Sequence, residues 1–289
     1  MASVFDEIEE NYIEVNGVKL HTIIIGTGEP LILLHGFPEF WYCWKDVIPG
    51  LKDKYKLIIP DMRGYNLSDK PEGVENYSLK ILVDDIKILS EKLKLGKFYL
   101  AGHDWGGVVA WGFGEKYPEL LKKLIILNAP HPLIFNNLLM KKRDKKQVKA
   151  SGYIFRFLQP DGEKILFEKD FQALKFAVFG MATNKNAFNE FDKEKYVEAW
   201  AQPGAITAGV NYYRASAVNP SVAGDWNGII NVPTLVIHGM KDMALTPKIL
   251  EGLEEYVKEL KVVRIENASH WVLVDDPELV ISSILEFIS

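Results

Sequence analysis

The chain has 289 residues, of which 48% are hydrophobic and 25% are charged, a composition typical of a globular protein with a sizeable core. The formal net charge of −5 argues against a nucleic-acid-binding surface, and the acidic stretch 1–12 lacks the pattern of a secretory signal. The single cysteine, Cys43, excludes an internal disulfide, and no run approaches the ~18 apolar residues of a membrane span, so we expect a cytoplasmic protein with no nucleic-acid or membrane partner.

Short apolar runs alternate with segments of helical periodicity along most of the chain. The opening run contains Asn16-Gly17 between two alternating stretches, which is typical of a β-hairpin. Six further runs predict buried strands, at 31–36, 56–61, 97–104, 121–130, 233–239 and 261–269. Four segments predict helices, at 78–93, 105–117, 246–260 and 276–288. The third of these helices would begin with Thr246 as its cap and Pro247 in its first turn.

This alternation of strands and helices predicts a mostly parallel central sheet with helices on both faces. The alternation stops between residues 131 and 222, which are helical in character and rich in aromatic residues. We expect 131–222 to form a helical cap over the carboxyl edge of the sheet, where open α/β proteins bind ligands, and 1–130 with 223–289 to form the core domain. The basic run 141–149 within the cap is typical of a solvated helix face.

Asp104 occupies the position that a serine holds in the nucleophile-elbow motif Gly-x-Ser-x-Gly. It lies between a predicted strand and a predicted helix, as that motif requires, and Gly102 and Gly106 lack the Cβ atoms that would collide in so sharp a turn. An Asp at this position is also typical of a helix N-cap. The free N–H groups and the positive end of the helix are expected to favour an ionised carboxylate.

Two other reactive side chains follow predicted strands. Asp242 follows the strand at 233–239 and His270 follows the strand at 261–269, both in loops at the carboxyl edge of the sheet. Taken alone, each is also typical of a solvated or hydrogen-bonded loop residue. Together with Asp104 they appear in the order nucleophile, acid, histidine, which predicts a catalytic triad of the hydrolase type.

The loop His35-Gly36-Phe37-Pro38 is expected to turn beneath the elbow. The backbone N–H groups of Phe37 and Trp105 are the predicted donors of an oxyanion hole. Pro38 has no N–H and fixes the turn, a cis bond being one option. The side chains of His103, Trp105, Phe37 and Pro38 are expected to line the substrate pocket.

Seven segments, spread over nearly the whole chain, resemble the epoxide hydrolases of the α/β-hydrolase superfamily: HGFPEFWYCW, DMRGYNLSDKP, GHDWGG, LNAPHP, NYYRA, MKDMALTP and SHW. The resemblance implies an α/β-hydrolase fold with an inserted cap, and the conversion of small hydrophobic epoxides to vicinal diols without a cofactor or metal. It also implies two cap tyrosines that hold the epoxide oxygen, which Tyr153 and Tyr213 match. Asn66 stands where this family usually has Gly, although Asn tolerates the left-handed backbone.

The chemistry of a carboxylate explains an Asp at the elbow. A serine that opened an epoxide would leave an ether, whereas Asp104 would leave an ester that water activated by His270 and Asp242 can cleave. Haloalkane or haloacid dehalogenases use the same nucleophile and are the alternative, although Phe37 stands where a second halide donor usually follows His-Gly. A non-catalytic binding protein of the hydrolase fold is a further alternative, and both a monomer and a homodimer remain open.

Overall fold

A computed structural model of the chain describes residues 7–218 and 227–289. The strands are β1 (Glu9–Val15), β2 (Val18–Ile25), β3 (Glu29–Leu34), β4 (Tyr55–Pro60), β5 (Phe98–His103), β6 (Leu121–Leu127), β7 (Thr234–Gly239) and β8 (Leu260–Ile265). They form an eight-stranded sheet with the spatial order β1-β2-β4-β3-β5-β6-β7-β8. The pairs β1–β2 and β2–β4 are antiparallel and the remaining pairs are parallel. The mostly parallel sheet and the opening hairpin are therefore confirmed.

The α-helices of the described residues are α1 (Ile48–Leu51), α2 (Leu79–Lys92), α3 (Trp105–Lys116), α4 (Pro132–Asn136), α5 (Lys145–Ala150), α6 (Gly152–Phe157), α7 (Lys164–Lys175), α8 (Glu190–Trp200), α9 (Ala205–Val218), α10 (Val272–Asp275) and α11 (Pro277–Ile288). The helix α7 is interrupted at 168–171, where the backbone leaves the helical region. Within 7–218 and 227–289, no helix has both the length and the apolar character that a membrane crossing requires.

The central strands read as continuous apolar runs because both faces of the sheet are buried. In β3, Leu31 and Leu33 face a core that includes Ile284 of α11. The alternate residues Ile32 and Leu34 face the second core, to which α2 and α3 contribute. The parallel strands all end at the same edge of the sheet. Since helices cover both faces, this carboxyl edge is where a ligand can bind.

The predicted helix at 246–260 is wrong. That segment contains only the short 3₁₀ turns Pro247–Leu250 and Leu253–Glu255. Between them the backbone leaves the helical region, since Glu251 is extended and Gly252 has φ of 83°, a left-handed conformation. Thr246 caps no helix, since its hydroxyl donates a hydrogen bond of 2.8 Å to Oε1 of Gln147. The other three predicted helices are confirmed as α2, α3 and α11.

The chain between β6 and residue 218 contains α4 to α9 and, within these described residues, no strand. This segment contacts the loop after β3, because the indole of Trp200 donates a hydrogen bond of 2.6 Å to the carbonyl of Pro38. The lysines and the arginine of the basic run 141–149 are exposed, as predicted. The expected cap boundaries stay a prediction, and residues 219–222 at the C-terminal boundary lie outside the described part of the chain.

Candidate active site

Asp104 links the end of β5 to the start of α3 through a strained turn. Its φ of 49° and ψ of −119° lie outside the helical and extended regions. The turn depends on its glycines, since a Cβ at Gly102 would overlap the backbone of Gly106, and a Cβ at Gly106 would overlap the carbonyl of Leu34. The Asp104 side chain accepts no capping hydrogen bond from α3. The carboxylate therefore does not cap its own helix and can interact with groups outside α3.

The loop after β3 supplies a backbone donor to this carboxylate. The N–H of Phe37 donates a hydrogen bond of 2.8 Å to Oδ1 of Asp104. Gly36 makes this approach possible, because a Cβ there would overlap the side chain of Asp104. The bond between Phe37 and Pro38 is cis. Of the two predicted oxyanion donors, Phe37 thus contacts Asp104 directly, while Trp105 is the first residue of α3, next to Asp104.

The other oxygen of Asp104 faces the imidazole of His270. Oδ2 of Asp104 lies 3.4 Å from Nε2 of His270. The opposite ring nitrogen, Nδ1, lies 2.7 Å from Oδ2 of Asp242. The structure therefore brings the three residues of the predicted triad together in one continuous line of contacts.

Asp242 is held by four hydrogen-bond partners. Its Oδ1 accepts the N–H groups of Ala244, at 2.7 Å, and Leu245, at 2.9 Å. Its Oδ2 accepts a bond of 2.7 Å from the amide of Asn128, in addition to His270. The carbonyl oxygen of the Asn128 side chain also accepts the N–H of Gly239, at 3.1 Å. Asn128 follows β6 within the LNAP segment and was not among the predicted site residues.

His103 lies behind His270. Its Nε2 lies 2.8 Å from the main-chain carbonyl of His270, and its Nδ1 lies 2.9 Å from Oε2 of Glu39. The other carboxylate oxygen of Glu39 accepts a hydrogen bond of 3.1 Å from Tyr196 of α8. The sequence predicted that His103 lines the substrate pocket. In the structure His103 is fully buried, and its two contacts hold the backbone of the His270 loop in place. Glu39, in the PEF segment, is the second residue that the sequence reasoning missed.

The charges of the triad shift the pKa of each member. Burial alone would raise the pKa of Asp104, but the hydrogen bond and charge of His270 outweigh it and lower that pKa. Burial would also raise the pKa of Asp242, which the charge and hydrogen bond of His270 lower to about 2. Burial would lower the pKa of His270, but the two carboxylates raise it well above its ordinary value. An imidazolium between two carboxylates thus stabilises ionised Asp104, rather than the bonds from α3 that the sequence predicted.

Tyr153 of α6 and Tyr213 of α9 lie side by side, with ring centroids 5.9 Å apart. The ring of Phe157 packs against both, at 5.6 Å from Tyr153 and 5.2 Å from Tyr213. Tyr213 also contacts the rings of Phe37, at 5.8 Å, and Trp105, at 5.0 Å. These contacts place both cap tyrosines in an aromatic cluster against the elbow and the loop after β3.

Both phenols are protonated, and the charge of Asp104 acts on both. Burial raises the pKa of Tyr153, and the charges of Asp104 and Asp242 raise it further, while a hydrogen bond with Tyr213 opposes these effects. Burial and the same Asp104 charge also raise the pKa of Tyr213. Both hydroxyls therefore keep their protons, and the ring of Tyr213 packs against Trp105, the residue after Asp104.

Comparisons with known proteins agree with this fold. A family described as the alpha/beta hydrolase fold matches residues 29–277. The AB hydrolase superfamily protein YfhM of Bacillus subtilis (strain 168) is 39% identical over 287 residues, covering 98% of this chain and 99% of that protein. Epoxide hydrolase 4 of Mus musculus is 34% identical over 284 residues, 96% of this chain and 78% of its own length. The crystal structure of a Bacillus megaterium epoxide hydrolase in complex with an inhibitor has a TM-score of 0.89 and 33% identity, covering 96% of this chain and 99% of that one.

Proposed function

Since this chain belongs to the α/β-hydrolase family, we propose that it is an epoxide hydrolase that converts hydrophobic epoxides to vicinal diols. One observation carries the proposal: a carboxylate at the nucleophile elbow, Asp104, occurs together with two cap phenols, Tyr153 and Tyr213. The ring centroids of these two tyrosines lie 5.9 Å apart. A carboxylate can attack a saturated carbon, and O–H donors can stabilise the oxygen that leaves it. The aromatic wall around these groups favours an apolar substituent on the epoxide.

In the first step, Oδ2 of Asp104 attacks one carbon of the epoxide from the side opposite the ring oxygen. The carbon–oxygen bond of the ring breaks, and its electron pair moves to the oxygen, which takes a proton from Tyr153 or Tyr213. The product of this step is a hydroxyalkyl ester of Asp104. Oδ1 becomes the ester carbonyl oxygen and is already bonded to the N–H of Phe37.

In the second step, Nε2 of His270 takes a proton from a water molecule whose oxygen attacks the ester carbonyl carbon. The N–H groups of Phe37 and Trp105 stabilise the oxyanion, a contribution of about 2.7–4 kcal/mol per donor in related acyl chemistry. The ester bond then breaks, and the diol leaves with the proton from His270, which leaves Asp104 as a carboxylic acid. This acid gives the second proton of the water to the neutral His270, and the transfer restores the Asp104 carboxylate and the imidazolium of the free enzyme. Asp242 orients His270 and balances its charge through the 2.7 Å contact at Nδ1.

The first step also prepares the base for the second. In the free enzyme the two carboxylates keep the pKa of His270 well above its ordinary value, so the imidazole is protonated. Esterification converts Asp104 to a neutral group and removes one of these charges, which lowers the pKa of His270. The imidazolium then gives up its proton, which replaces the one that the tyrosine lost in ring opening. His270 therefore becomes a competent base only after the ester that it must hydrolyse has formed.

A panel of substrates tests the proposed activity. The enzyme is incubated separately with styrene oxide, a bromoalkane and a nitrophenyl ester, and diol, halide and phenol are assayed. We expect diol from styrene oxide, and none from an Asp104→Ala variant. Halide release without diol identifies a dehalogenase instead, and no turnover of any substrate supports a non-catalytic binding protein.

A single turnover in heavy-oxygen water tests the covalent step. If the ester forms, the water oxygen enters the Asp104 carboxylate and the first diol carries only unlabelled oxygen. Label confined to the diol means that water opens the epoxide directly. Peptide mass spectrometry of the segment that contains Asp104 distinguishes the two outcomes.

A further inference from the structure

The two cap tyrosines lie on different helices, and the helix that carries Tyr153 is short. The helix α6 spans only Gly152–Phe157, whereas Tyr213 lies on the longer α9. A helix of this length is not stable by itself, so its position depends on contacts with its neighbours. The relative position of the two phenols therefore depends on whatever fixes α6 against α9.

Arg214, the residue after Tyr213, makes that connection. Its Nε donates a hydrogen bond of 3.2 Å to the carbonyl of Phe157, and its Nη2 donates one of 3.4 Å to the carbonyl of Gln159. The carbonyl of Phe157 ends α6, where helix carbonyls lack intrahelical partners, and a planar guanidinium can bond two carbonyls at once. The carbonyl of Gln159, two residues further on, also accepts the N–H of Gly162 at 2.9 Å. The Arg214 side chain is 18% exposed, and its bond to Phe157 is partly buried, whereas its bond to Gln159 lies at the surface.

Further contacts hold the guanidinium in this orientation. Nη1 donates a hydrogen bond of 3.2 Å to the side chain of Asn211, one turn earlier in α9. Arg214 also forms an ion pair with Glu163, which precedes α7. The other carboxylate oxygen of Glu163 accepts a hydrogen bond of 3.0 Å from Thr207, so α9 binds this carboxylate at two points.

Phe157 joins this network to the phenols. Its carbonyl accepts the bond from Arg214, while its ring packs against both Tyr153 and Tyr213. We propose that Arg214 is a positioning residue that sets the spacing of the two tyrosine hydroxyls for ring opening, a role that rests on the proposed function. Because it contacts neither His270 nor Asp242 in the structure, Arg214 acts on ester formation and not on ester hydrolysis.

The test measures the two steps separately. Ester formation and ester hydrolysis are followed by rapid-quench single turnovers with styrene oxide, and the thermal midpoint of each variant is recorded. For Arg214→Gln we expect ester formation to slow about 10- to 100-fold, as for a displacement of about 1 Å, with hydrolysis of the ester unchanged within about twofold. Arg156→Gln is the matched control, because Arg156 lies on α6 and, among the described residues, its side chain bonds to Asp161 alone. Both of its rates should stay at the wild-type values.

A second variant covers the case in which Arg214→Gln does not fold. Arg214→Lys keeps a charge for Glu163 but cannot bond two carbonyls as a fork, so ester formation should slow several-fold while hydrolysis is kept. Equal losses in both steps, or an unchanged rate of ester formation in either folded variant, overturn the proposal. If the wild type forms no ester with any epoxide, the proposed function itself fails, and the two failures are thus distinguished.

Discussion

The main-chain N–H of Phe37 lies 2.8 Å from Oδ1 of Asp104, so the oxygen that would become the ester carbonyl is already bonded to its donor in the free enzyme. This contact depends on the backbone of the loop after β3 passing close to the elbow. Gly36 permits that approach because it has no Cβ to meet the Asp104 side chain. A donor fixed before the reaction stabilises the developing charge without reorganisation.

Gly36→Ala should therefore displace the carboxylate. The added Cβ would overlap the side chain of Asp104, and a shift of about 1 Å in a nucleophile can lower the rate about 100-fold. Ester formation in a rapid-quench experiment measures the effect. Gly152→Ala is the control, since its new Cβ meets no heavy atom within 4 Å and both steps should keep their rates. Wild-type activity in Gly36→Ala contradicts the importance of this close approach.

Replacing the base should separate the two chemical steps. His270→Gln keeps a polar side chain of similar length but cannot accept a proton from water. We expect the variant to open styrene oxide once and to stop at an ester on Asp104, visible as a protein mass increase equal to one substrate molecule. A variant that binds the epoxide but shows no mass increase argues against the covalent mechanism.

The cap phenols should govern only the opening of the ring. The double variant Tyr153→Phe with Tyr213→Phe removes both O–H donors and retains the rings that pack against Phe157. Since each proton donor typically contributes about 10²–10⁴-fold, diol formation should fall below detection while the thermal midpoint stays close to the wild-type value. Each single variant should retain part of the activity. An active double variant would show that other groups protonate the epoxide oxygen.

The positions of the triad residues were predictable because each one follows a strand. Parallel strands bring their carboxyl ends to one edge, so Asp104, Asp242 and His270 meet there although they are far apart in the chain. Asn128 also follows a strand, but an amide has no reactivity to single it out. Its bond to Asp242 joins residues 114 positions apart, and only the folded structure shows that the two are adjacent.

The failed helix at 246–260 has a different cause. The apolar residues of that segment do recur at helical spacing, and Ile249, Leu250 and Leu253 are indeed buried. They are buried through two 3₁₀ turns on either side of Gly252, because apolar spacing reports which residues face the core and not which backbone conformation places them there.

The cap tyrosines are a third case, since a tyrosine in an aromatic-rich helix is usually a core residue, and only the family resemblance singled out Tyr153 and Tyr213.

The two steps should depend on pH in different ways. In the free enzyme, Asp242 and Asp104 raise the pKa of His270, and its titration by NMR should report this high value. Ester hydrolysis needs neutral His270 next to a neutral ester, so its rate should rise with pH through a lower pKa than the NMR value. Ester formation needs ionised Asp104, whose pKa is lowered, so it should persist on the acid side of neutrality, where the ester accumulates. Equal pKa values from the NMR and kinetic measurements would contradict the coupling.

Asn128 should affect both the pKa of Asp242 and the stability of the fold. Asn128→Gly removes the bonds to Asp242, to the carbonyl of Ser269 and from the N–H of Gly239, and leaving this buried N–H without a partner costs about 1–3 kcal/mol of unfolding free energy. The backbone of Asn128 has φ of 40°, which Gly adopts freely but Ala does not. Asn128→Ala should therefore be less stable than Asn128→Gly, and denaturant unfolding of the pair separates strain from the lost bonds.

The same variants should alter the response to acid. The pKa of Asp242 is lowered to about 2 in the folded protein by His270 and, to a smaller extent, by Asn128, from a reference value of 3.8. A lowered pKa stabilises the fold above the reference value, and that contribution is lost as the pH falls from about 4 to about 2. Without Asn128 the pKa of Asp242 should rise, so the variants should lose less stability over this window than the wild type.

In the Asn128 variants, ester hydrolysis should slow more than ester formation, because Asp242 acts through His270. A variant that slows only ester formation would show that Asn128 acts on the elbow and not on the acid.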